Sequence, residues 1–373
     1  MAKFDVVFEG GGAKGIAFVG ALEVLKQRNH EFRRFIGTSA GAITATLCAA
    51  GYTPAEMMNA TLEKQADGTP RFSSFMDIPT TEDFPPQTRE ASMTMQVLRE
   101  IDVPGIPELL ESRFDAALLE RLIENRIFAR LFSFNECGGF YSGRTFLSWI
   151  REKLAAKNIA GDDTLETFAA KTGADLSLVV SDTTDVEMLV LNHRTAPGVP
   201  VANAVRMSMS IPFVWQEVVW QEEWGTYLGR PKTGNIIVDG GVLSNFPIRL
   251  IATVDDEIRT IMGDSDPNGA GNLGLLIDER IPVPGMPDSD KTPLPVTRLR
   301  TVQRISRLLD TMTGAWDNDL IRRFSSDICR LPAKGYGTLE FGMTGDRLEL
   351  FLQAARAAMT DHLKIAAAAG LGG

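Results

Sequence analysis

The chain contains 373 residues, 44% of them hydrophobic and 23% charged, which is the composition of a folded globular protein and not of a disordered one. Its 48 acidic and 38 basic residues give a formal net charge of −10, which argues against a protein that binds nucleic acid through overall basicity. The three cysteines, Cys48, Cys137 and Cys329, are far apart and form no C-x-x-C pair, so neither a disulfide framework nor a thiolate zinc site is indicated.

The N-terminal segment carries no secretory signal pattern. An apolar strand begins within the first few residues, where a signal peptide would need a basic region, an apolar region and a cleavage site. No uninterrupted apolar run approaches the ~18 residues that suggest a transmembrane helix. We therefore expect a cytoplasmic protein, with any membrane contact peripheral.

The first 50 residues alternate strand and helix. Apolar runs predict strands at Phe4–Phe8 and Phe32–Ile36, and helical spacing predicts helices at Gly15–Gln27 and Ala40–Ala50. This βαβα order predicts a parallel sheet with helices on its faces.

The pattern changes after this opening. Helical segments broken by prolines run from about 53 to 138, and their scattered methionines suggest a lid-like insertion over an apolar site. Further strands are predicted at Leu176–Val180, Met188–Leu191, Asn235–Val238 and Leu273–Ile277, and C-terminal helices at about 296–365, namely Val296–Arg323 and Asp346–His362. Because no repeat or clean boundary is visible, we expect residues 1–373 to form a single domain.

The glycine-rich turn after the first strand, E-G-G-G-A-K-G, has three interpretations. It resembles a dinucleotide fingerprint, a phosphate loop, or a row of backbone N–H groups that bind an oxyanion. A dinucleotide site needs an acidic residue at the end of the second strand, and that strand ends instead in G-T-S-A-G. A phosphate loop needs Ser or Thr after its lysine, and Gly15 follows Lys14. The interpretation that remains is that the backbone N–H groups of this turn bind an oxyanion.

The G-T-S-A-G motif, Gly37 to Gly41, favours a serine nucleophile. Between a strand and a helix, this pattern places Ser39 on a tight turn that exposes its hydroxyl at the helix N-terminus. No histidine stands in a turn that would present it to Ser39. Each of them is expected to be a surface or structural residue, at positions His30, His193 and His362.

A base for that serine is suggested at N-I-I-V-D-G-G, where an apolar strand ends in Asp239. Because the carboxyl ends of parallel strands share one edge, we expect Asp239 to meet Ser39 there. Taken alone, an Asp-Gly turn would be the simpler interpretation.

Together, the three motifs identify a resemblance. The order G-G-G-x-[KR]-G, G-x-S-x-G, D-G-[GA] resembles the patatin-like phospholipase family, and Gly10–Gly15, Gly37–Gly41 and Asp239–Gly241 match it without a departure. The segments G-G-F-Y-S-G-R-T-F-L-S-W-I and A-V-R-M-S-M-S-I-P-F-V-W-Q-E-V are also similar to that family, except for Met207 and Met209, where smaller residues are usual. The likeness implies a three-layer α/β/α fold with a mainly parallel central sheet.

The resemblance also implies a mechanism. Asp239 would take the proton of Ser39, which attacks an ester carbonyl to form an acyl-enzyme that water hydrolyses. The backbone N–H groups of Gly11 and Gly12, with Gly10, would form the oxyanion hole. A carboxylate is a weak base in water, so burial of Asp239 should raise its pKa. Supporting positions are Lys14, Gly15, Gly37, Gly41, Gly240 and Gly241.

The implied partner is a membrane phospholipid or another lipid ester, without cofactor or metal. Three tryptophans, Trp215, Trp220 and Trp224, suit an acyl chain or a membrane surface, although a core role for two of them is the simpler expectation. A basic stretch with Arg298, Arg300, Arg304 and Arg307 is expected to be a solvated face. Two alternatives stay open: an acyltransferase that uses the same serine, and a non-catalytic lipid- or protein-binding module. The need for an activating ligand or protein is also open.

Overall fold

The computed structural model describes residues 2–84, 88–89, 92–100, 119–264, 269–286, 318–338, 340, 342–343 and 345–368. The strands are β1 Lys3–Phe8, β2 Glu31–Thr38, β3 Gly139–Tyr141, β4 Asp175–Asp182, β5 Glu187–Leu191, β6 Phe213–Trp215, β7 Val218–Val219, β8 Thr226–Tyr227, β9 Arg230–Pro231, β10 Ile236–Asp239, β11 Gly271–Pro282 and β12 Ile328–Lys334. The helices are α1 Ala17–Gln27, α2 Ala40–Ala49, α3 Pro54–Thr61, α4 Met93–Glu100, α5 Arg126–Cys137, α6 Arg144–Ala155, α7 Leu165–Thr172, α8 Val201–Ser208, α9 Arg249–Ala252, α10 Asp256–Met262 and α11 Gly345–Ala368.

The central sheet is mainly parallel. Its order is β12-β11-β1-β2-β4-β10-β7, and β5 also pairs with β4. The pairs from β12 to β4 are parallel, while β5 and β10 run antiparallel to β4. The expectation that the strand before Asp239 is parallel to the others is therefore wrong.

One edge of β4 is shared by two strands that run in opposite directions. Residues 175–179 of β4 pair with β2, residues 180–182 pair with β10, and β5 pairs with residues 178–182. Because β5 overlaps both partners, it must occupy the other edge of β4, so β2 and β10 meet head-on along the same edge. The last residue of β2, Thr38, lies opposite Val179, and the last residue of β10, Asp239, lies opposite Val180.

Helices cover both faces of the sheet. Successive strand residues point to opposite faces, so neighbouring residues of one strand belong to different cores. Val6 and Phe8 of β1 belong to a large core shared with α1, α2, α6, α8 and α11. Val7, between them, belongs to a smaller core with α9, α10 and Ile321. The result is the three-layer α/β/α arrangement expected from the sequence.

The described part of residues 53–138 is largely helical and has a core of its own. It contains α3, α4, α5 and 3-10 turns at Arg71–Phe75 and Thr81–Asp83. Six buried side chains form its separate apolar cluster: Phe84, Met95, Leu119, Ile123, Ala129 and Phe132. A lid role for this segment stays a prediction, as does the single-domain boundary.

The C-terminal part contains a strand that the sequence analysis missed, β12, and the long helix α11 where Asp346–His362 was expected. Of the other expected helix, Val296–Arg323, only residues 318–323 are described, and they are helical. The basic stretch from Arg298 to Arg307 lies outside the described residues. In the described part of the chain, no helix combines the length and apolarity needed to cross a bilayer.

A buried lysine joins the β4–β5 turn to the segment before β10. Lys232 is 1% exposed, and its ammonium contacts the carboxylates of Asp182 at 2.9 Å, Asp185 at 2.5 Å and Glu187. Burial lowers the pKa of Lys232, but the three hydrogen bonds outweigh burial and raise it. The carboxylate oxygens lie within 4.8 Å of one another, a spacing that suits a cation, and the Lys232 ammonium lies among them.

We expect Lys232→Met to lower the free energy of unfolding by about 3–5 kcal/mol, since it leaves three acidic groups without their buried cation. Urea unfolding monitored by tryptophan fluorescence measures the change, with Lys26→Met on the exposed side of α1 as the control. Equal losses in the two variants would contradict the structural role of Lys232.

Candidate active site

Ser39 lies at a strained turn between β2 and α2. Its φ of 53° and ψ of −120° are rare for a residue with a side chain, and such strain is typical of functional positions. The side chain is 5% exposed and contributes to the lining of a cavity. The backbone N–H of Ser39 donates to Ser208 Oγ at 3.0 Å. Ser39 is thus held at the start of α2 and at the wall of the cavity.

The two glycines of the motif, Gly37 and Gly41, allow this turn because they have no side chain where neighbouring backbone atoms lie close. A Cβ on Gly37 would lie 2.2 Å from the carbonyl oxygen of Gly41, and one on Gly41 would lie 2.1 Å from that of Phe8. Backbone oxygens cannot move aside as a side-chain tip can, so the strand, the turn and the helix can pack this closely only with glycine at both positions.

Asp239 lies next to Ser39 through the β4 edge described above. Its backbone N–H donates to the Ser210 carbonyl at 2.9 Å, and its Oδ1 accepts the Gly241 N–H at 2.7 Å. Its Oδ2 is buried and forms no hydrogen bond of ordinary geometry with the described residues. One carboxylate oxygen is therefore held in place, and the other is free to accept a proton.

Burial raises the pKa of Asp239 to about 7, although hydrogen bonding from the Ser39 hydroxyl and the Gly241 amide lowers it. The Ser39 hydroxyl therefore lies close enough to the Asp239 carboxyl group to affect its pKa. A pKa near 7 suits a base that works at neutral pH, because the group is then substantially ionised and still basic.

The glycine loop lies against the same site, and only part of it has free N–H groups. The Gly10 N–H donates to the Asn245 carbonyl at 2.9 Å, so Gly10 is not available as an oxyanion donor in this arrangement. No described residue accepts a hydrogen bond from the N–H of Gly11 or Gly12. Gly12 has a φ of +56° and opens a 3-10 turn at the cavity. Gly11 and Gly12 therefore remain as the candidate donors of hydrogen bonds to an oxyanion.

The supporting residues fix the loops to one another. The buried Lys14 pairs with Glu279 at the end of β11 and so fastens the glycine loop to that strand. A Cβ on Gly15 would lie 2.9 Å from that of Ala40, and one on Gly240 would lie 2.3 Å from the Val179 carbonyl oxygen. The N–H of Gly241 holds the Asp239 carboxylate.

An apolar cavity extends from Ser39 along α2. Ala40, Ile43, Thr44 and Leu47 line it at the spacing of one helix face. Aromatic and other apolar side chains form most of the remaining wall: Ile16, Val19, Met57, Phe72, Phe75, Phe146, Trp149, Met209, Ile211 and Trp215. Trp220 and Trp224 are buried, and their ring centroids lie 6.1 Å apart. Two of the three tryptophans therefore have the expected core role.

A family model described as a patatin-like phospholipase matches residues 6–252, which include both Ser39 and Asp239. The chain belongs to the patatin-like phospholipase family.

Three similar proteins give the range of the likeness. The uncharacterized protein YqhO of Bacillus subtilis (strain 168) is 35% identical over 254 residues, which cover 66% of each chain. The probable lipid hydrolase 463L of Invertebrate iridescent virus 6 is 22% identical over 65% of this chain and 61% of its own.

The third is a solved structure, VipD from Legionella pneumophila, with a TM-score of 0.46 and 17% identity over 97% of this chain and 67% of its own. The matched regions cover 66% of the Bacillus subtilis protein and 61% of the virus protein, so this chain spans less than two thirds of the length of these two relatives.

The patatin-like site includes residues that sequence reasoning missed. Ser208 accepts from Ser39 and donates to the Val179 carbonyl at 2.7 Å, and Asn245 joins the glycine loop to the segment after Asp239. Thr338, beyond the matched range, accepts the Ala13 N–H at 2.7 Å through its carbonyl. Ser208 and Asn245 fall in or near segments noted for their similarity, but nothing in the sequence of residues 336–343 indicates a site.

The histidines take no part in the described site. His30 accepts the Ala2 N–H at 3.2 Å at the opposite end of β2 from Ser39, His193 contacts Arg194, and His362 lies on α11. Burial lowers the pKa of each one. Asp239 is therefore the titratable group next to Ser39.

The pKa of Asp239 predicts how activity depends on pH. If the ionised carboxylate is the base, kcat/KM for an ester rises with pH and reaches half of its plateau near pH 7. Steady-state kinetics on a soluble ester between pH 4 and 9 measure the profile. A midpoint near the ordinary value of ~4 would contradict a buried carboxylate as the base.

The same shift predicts a pH-dependent effect on stability. Since the folded pKa lies above that of the unfolded chain, the native state holds an extra proton between about pH 4 and pH 7, and stability is lost as the pH rises through the folded pKa. Asp239→Asn, which cannot ionise, should be more stable than the wild type at pH 8 and equally stable at pH 4. Urea unfolding at the two pH values measures this, and an equal difference at both would contradict it.

Proposed function

We propose that the protein is a lipid acyl hydrolase that cleaves fatty-acyl esters, with Ser39 as nucleophile and Asp239 as general base. The observation that carries the proposal is the buried Asp239 carboxyl beside Ser39 on its strained turn, with one carboxylate oxygen unpartnered. Membership of the patatin-like phospholipase family supports the same reaction class.

In the proposed reaction, Asp239 accepts the Ser39 proton while Oγ attacks the ester carbonyl carbon. The carbonyl oxygen becomes negative and accepts hydrogen bonds from the Gly11 and Gly12 N–H groups, each worth about 3 kcal/mol to the transition state. The alcohol leaves with the proton, and an acyl-enzyme remains. Water then attacks the acyl carbon with Asp239 again as base, which releases the fatty acid and restores Ser39.

The apolar lining of the cavity supports the proposal that the acyl chain of the substrate binds there. Its wall is almost entirely aliphatic and aromatic, and Ser39 is one of the few polar residues that line it. Along α2, the distance from Ser39 to Leu47 corresponds to about 12 Å at the rise of a helix, long enough for part of a fatty-acyl chain. Phospholipids and neutral lipid esters both offer such a chain.

Ser39→Ala should abolish release of fatty acid from mixed phospholipid vesicles, because it removes the hydroxyl proposed to form the acyl-enzyme. Asp239→Asn should lower the rate at least about 10²-fold, since the asparagine amide cannot accept the proton. Mass spectrometry of the lipid products measures both, with Ser326→Ala, an exposed serine before β12, as the matched control. Activity that persists in Ser39→Ala would contradict the proposal.

The products also distinguish the alternatives. Acyl transfer to an added alcohol in preference to water would assign the site to an acyltransferase. A wild-type protein that neither hydrolyses esters nor reacts with a fluorophosphonate at Ser39 would favour a binding module.

Filling the cavity should change chain-length preference. Ile43→Trp adds bulk one helical turn from Ser39, so hydrolysis of long-chain p-nitrophenyl esters should fall about tenfold or more relative to the acetyl ester. Ile365→Trp on the exposed side of α11 is the matched control and should keep the wild-type preference. A uniform loss on all esters would contradict the acyl assignment of the cavity.

A further inference from the structure

The last turn of α8 and the residues after it hold both members of the proposed dyad. Ser208 Oγ accepts the Ser39 N–H at 3.0 Å, and the Ser210 carbonyl accepts the Asp239 N–H at 2.9 Å. Ser208 also donates to Val179 of β4 at 2.7 Å. A shift of this three-residue segment, which we call the serine clamp (Ser208–Ser210), would therefore move Ser39 and Asp239 relative to each other.

The clamp is itself held by a buried guanidinium. Arg206 is 5% exposed, and its Nη1 donates to Ser210 Oγ. Its Nη2 donates to the carbonyls of Ser142 and Gln216, each at 2.9 Å. These acceptors belong to three different segments: the clamp, the turn before α6 and the residue after β6. The planar fork of an arginine presents donors on separate nitrogens in fixed directions, whereas a lysine has a single nitrogen.

The position of Gly143 shows how closely this group is packed. A Cβ on Gly143 would lie 2.4 Å from Arg206 Nε, so the guanidinium lies directly against the backbone at the start of α6. Ser142 and Gly143 are held in turn by the Asp77 carboxylate, at 2.7 and 2.8 Å. Arg206 therefore connects the clamp to a rigid network.

Arg206 has no carboxylate partner within 4.0 Å among the described residues. Burial lowers its pKa to about 10, and the charge of Asp77 offsets only part of that effect. A buried charge whose hydrogen bonds go to a hydroxyl and two carbonyls, with no carboxylate partner, is costly, and an apolar residue of similar volume usually serves a core better. Such a departure from ordinary packing is expected where a functional site requires it.

We propose that Arg206 is a positioning residue that sets the distance between Ser39 and Asp239 by fixing the serine clamp. This inference rests on the proposed function of Ser39 and Asp239. It adds that the productive arrangement of the dyad depends on a side chain that contacts neither of them. The Ser39 hydroxyl and the Asp239 carboxyl interact without a hydrogen bond of ordinary geometry, so a small movement of the clamp would change that interaction.

The test compares two buried arginines. Arg206→Met should lower kcat per active site about 100-fold and change KM much less, because the clamp holds both members of the dyad but contributes only Met209 to the wall of the acyl cavity. Arg34→Met is the matched control: Arg34 is 7% exposed on β2, far from the clamp, and pairs with Asp5 and Asp175. It should lower the urea midpoint but keep kcat per active site. Titration with a fluorophosphonate counts the active sites.

Two further variants decide the question if Arg206→Met does not fold. Arg206→Lys keeps the charge without the fork, and Ser210→Ala keeps the carbonyl to Asp239 without the hydroxyl that Arg206 holds. Both should lower kcat and the rate of fluorophosphonate labelling more than they lower the urea midpoint. A kcat per labelled site within about twofold of wild type in the Arg206 variants would overturn the inference alone. A wild-type protein inactive on every ester would remove the proposed function, and this inference with it.

Discussion

The site depends on one edge of β4, where strands of opposite direction meet. β2 ends opposite Val179 and β10 ends opposite Val180, so the residues that follow or end these strands become neighbours although 200 positions separate them in the chain. Backbone hydrogen bonds to β4 fix both strand ends. Val179 also accepts from Ser208 and lies against Gly240, so the same short stretch of β4 orders both the turn at Ser39 and the segment after Asp239.

Local patterns explain which parts of this arrangement could be predicted. The opening βαβα unit and the strand before Asp239 are apolar runs bounded by glycine, and their positions agree with the structure to within a few residues. The direction of β10 could not be read in this way, because strand pairing is non-local. The expected meeting of Ser39 and Asp239 was argued from parallel strands, whereas the antiparallel return of β10 brings them together. β12 was missed because Arg330 and Pro332 interrupt its apolar pattern.

The parts of the site that sequence reasoning missed act through backbone groups. Gly10 is one of three consecutive glycines, and nothing in its type shows that the Asn245 carbonyl occupies its N–H. Arg206 binds two carbonyls from distant segments, a role that leaves no periodic or charge pattern. A motif specifies the residue types that chemistry needs, but the partners of backbone atoms are determined only when the chain is folded.

Burial connects the chemistry of the site with its cost. The desolvation that raises the pKa of Asp239 makes a carboxylate a useful base at neutral pH, and it also destabilises the folded state when that carboxylate ionises. Residues beyond the matched family region lie at the same cavity: Thr338 lies against Gly12, and Glu340 and Met343 line the cavity. Lys14 reaches the same region through Glu279 on β11. The cavity beside the proposed dyad therefore involves β11 and the segment before α11 as well as the three motifs, which is why we regard the C-terminal part of the chain as belonging to the candidate site.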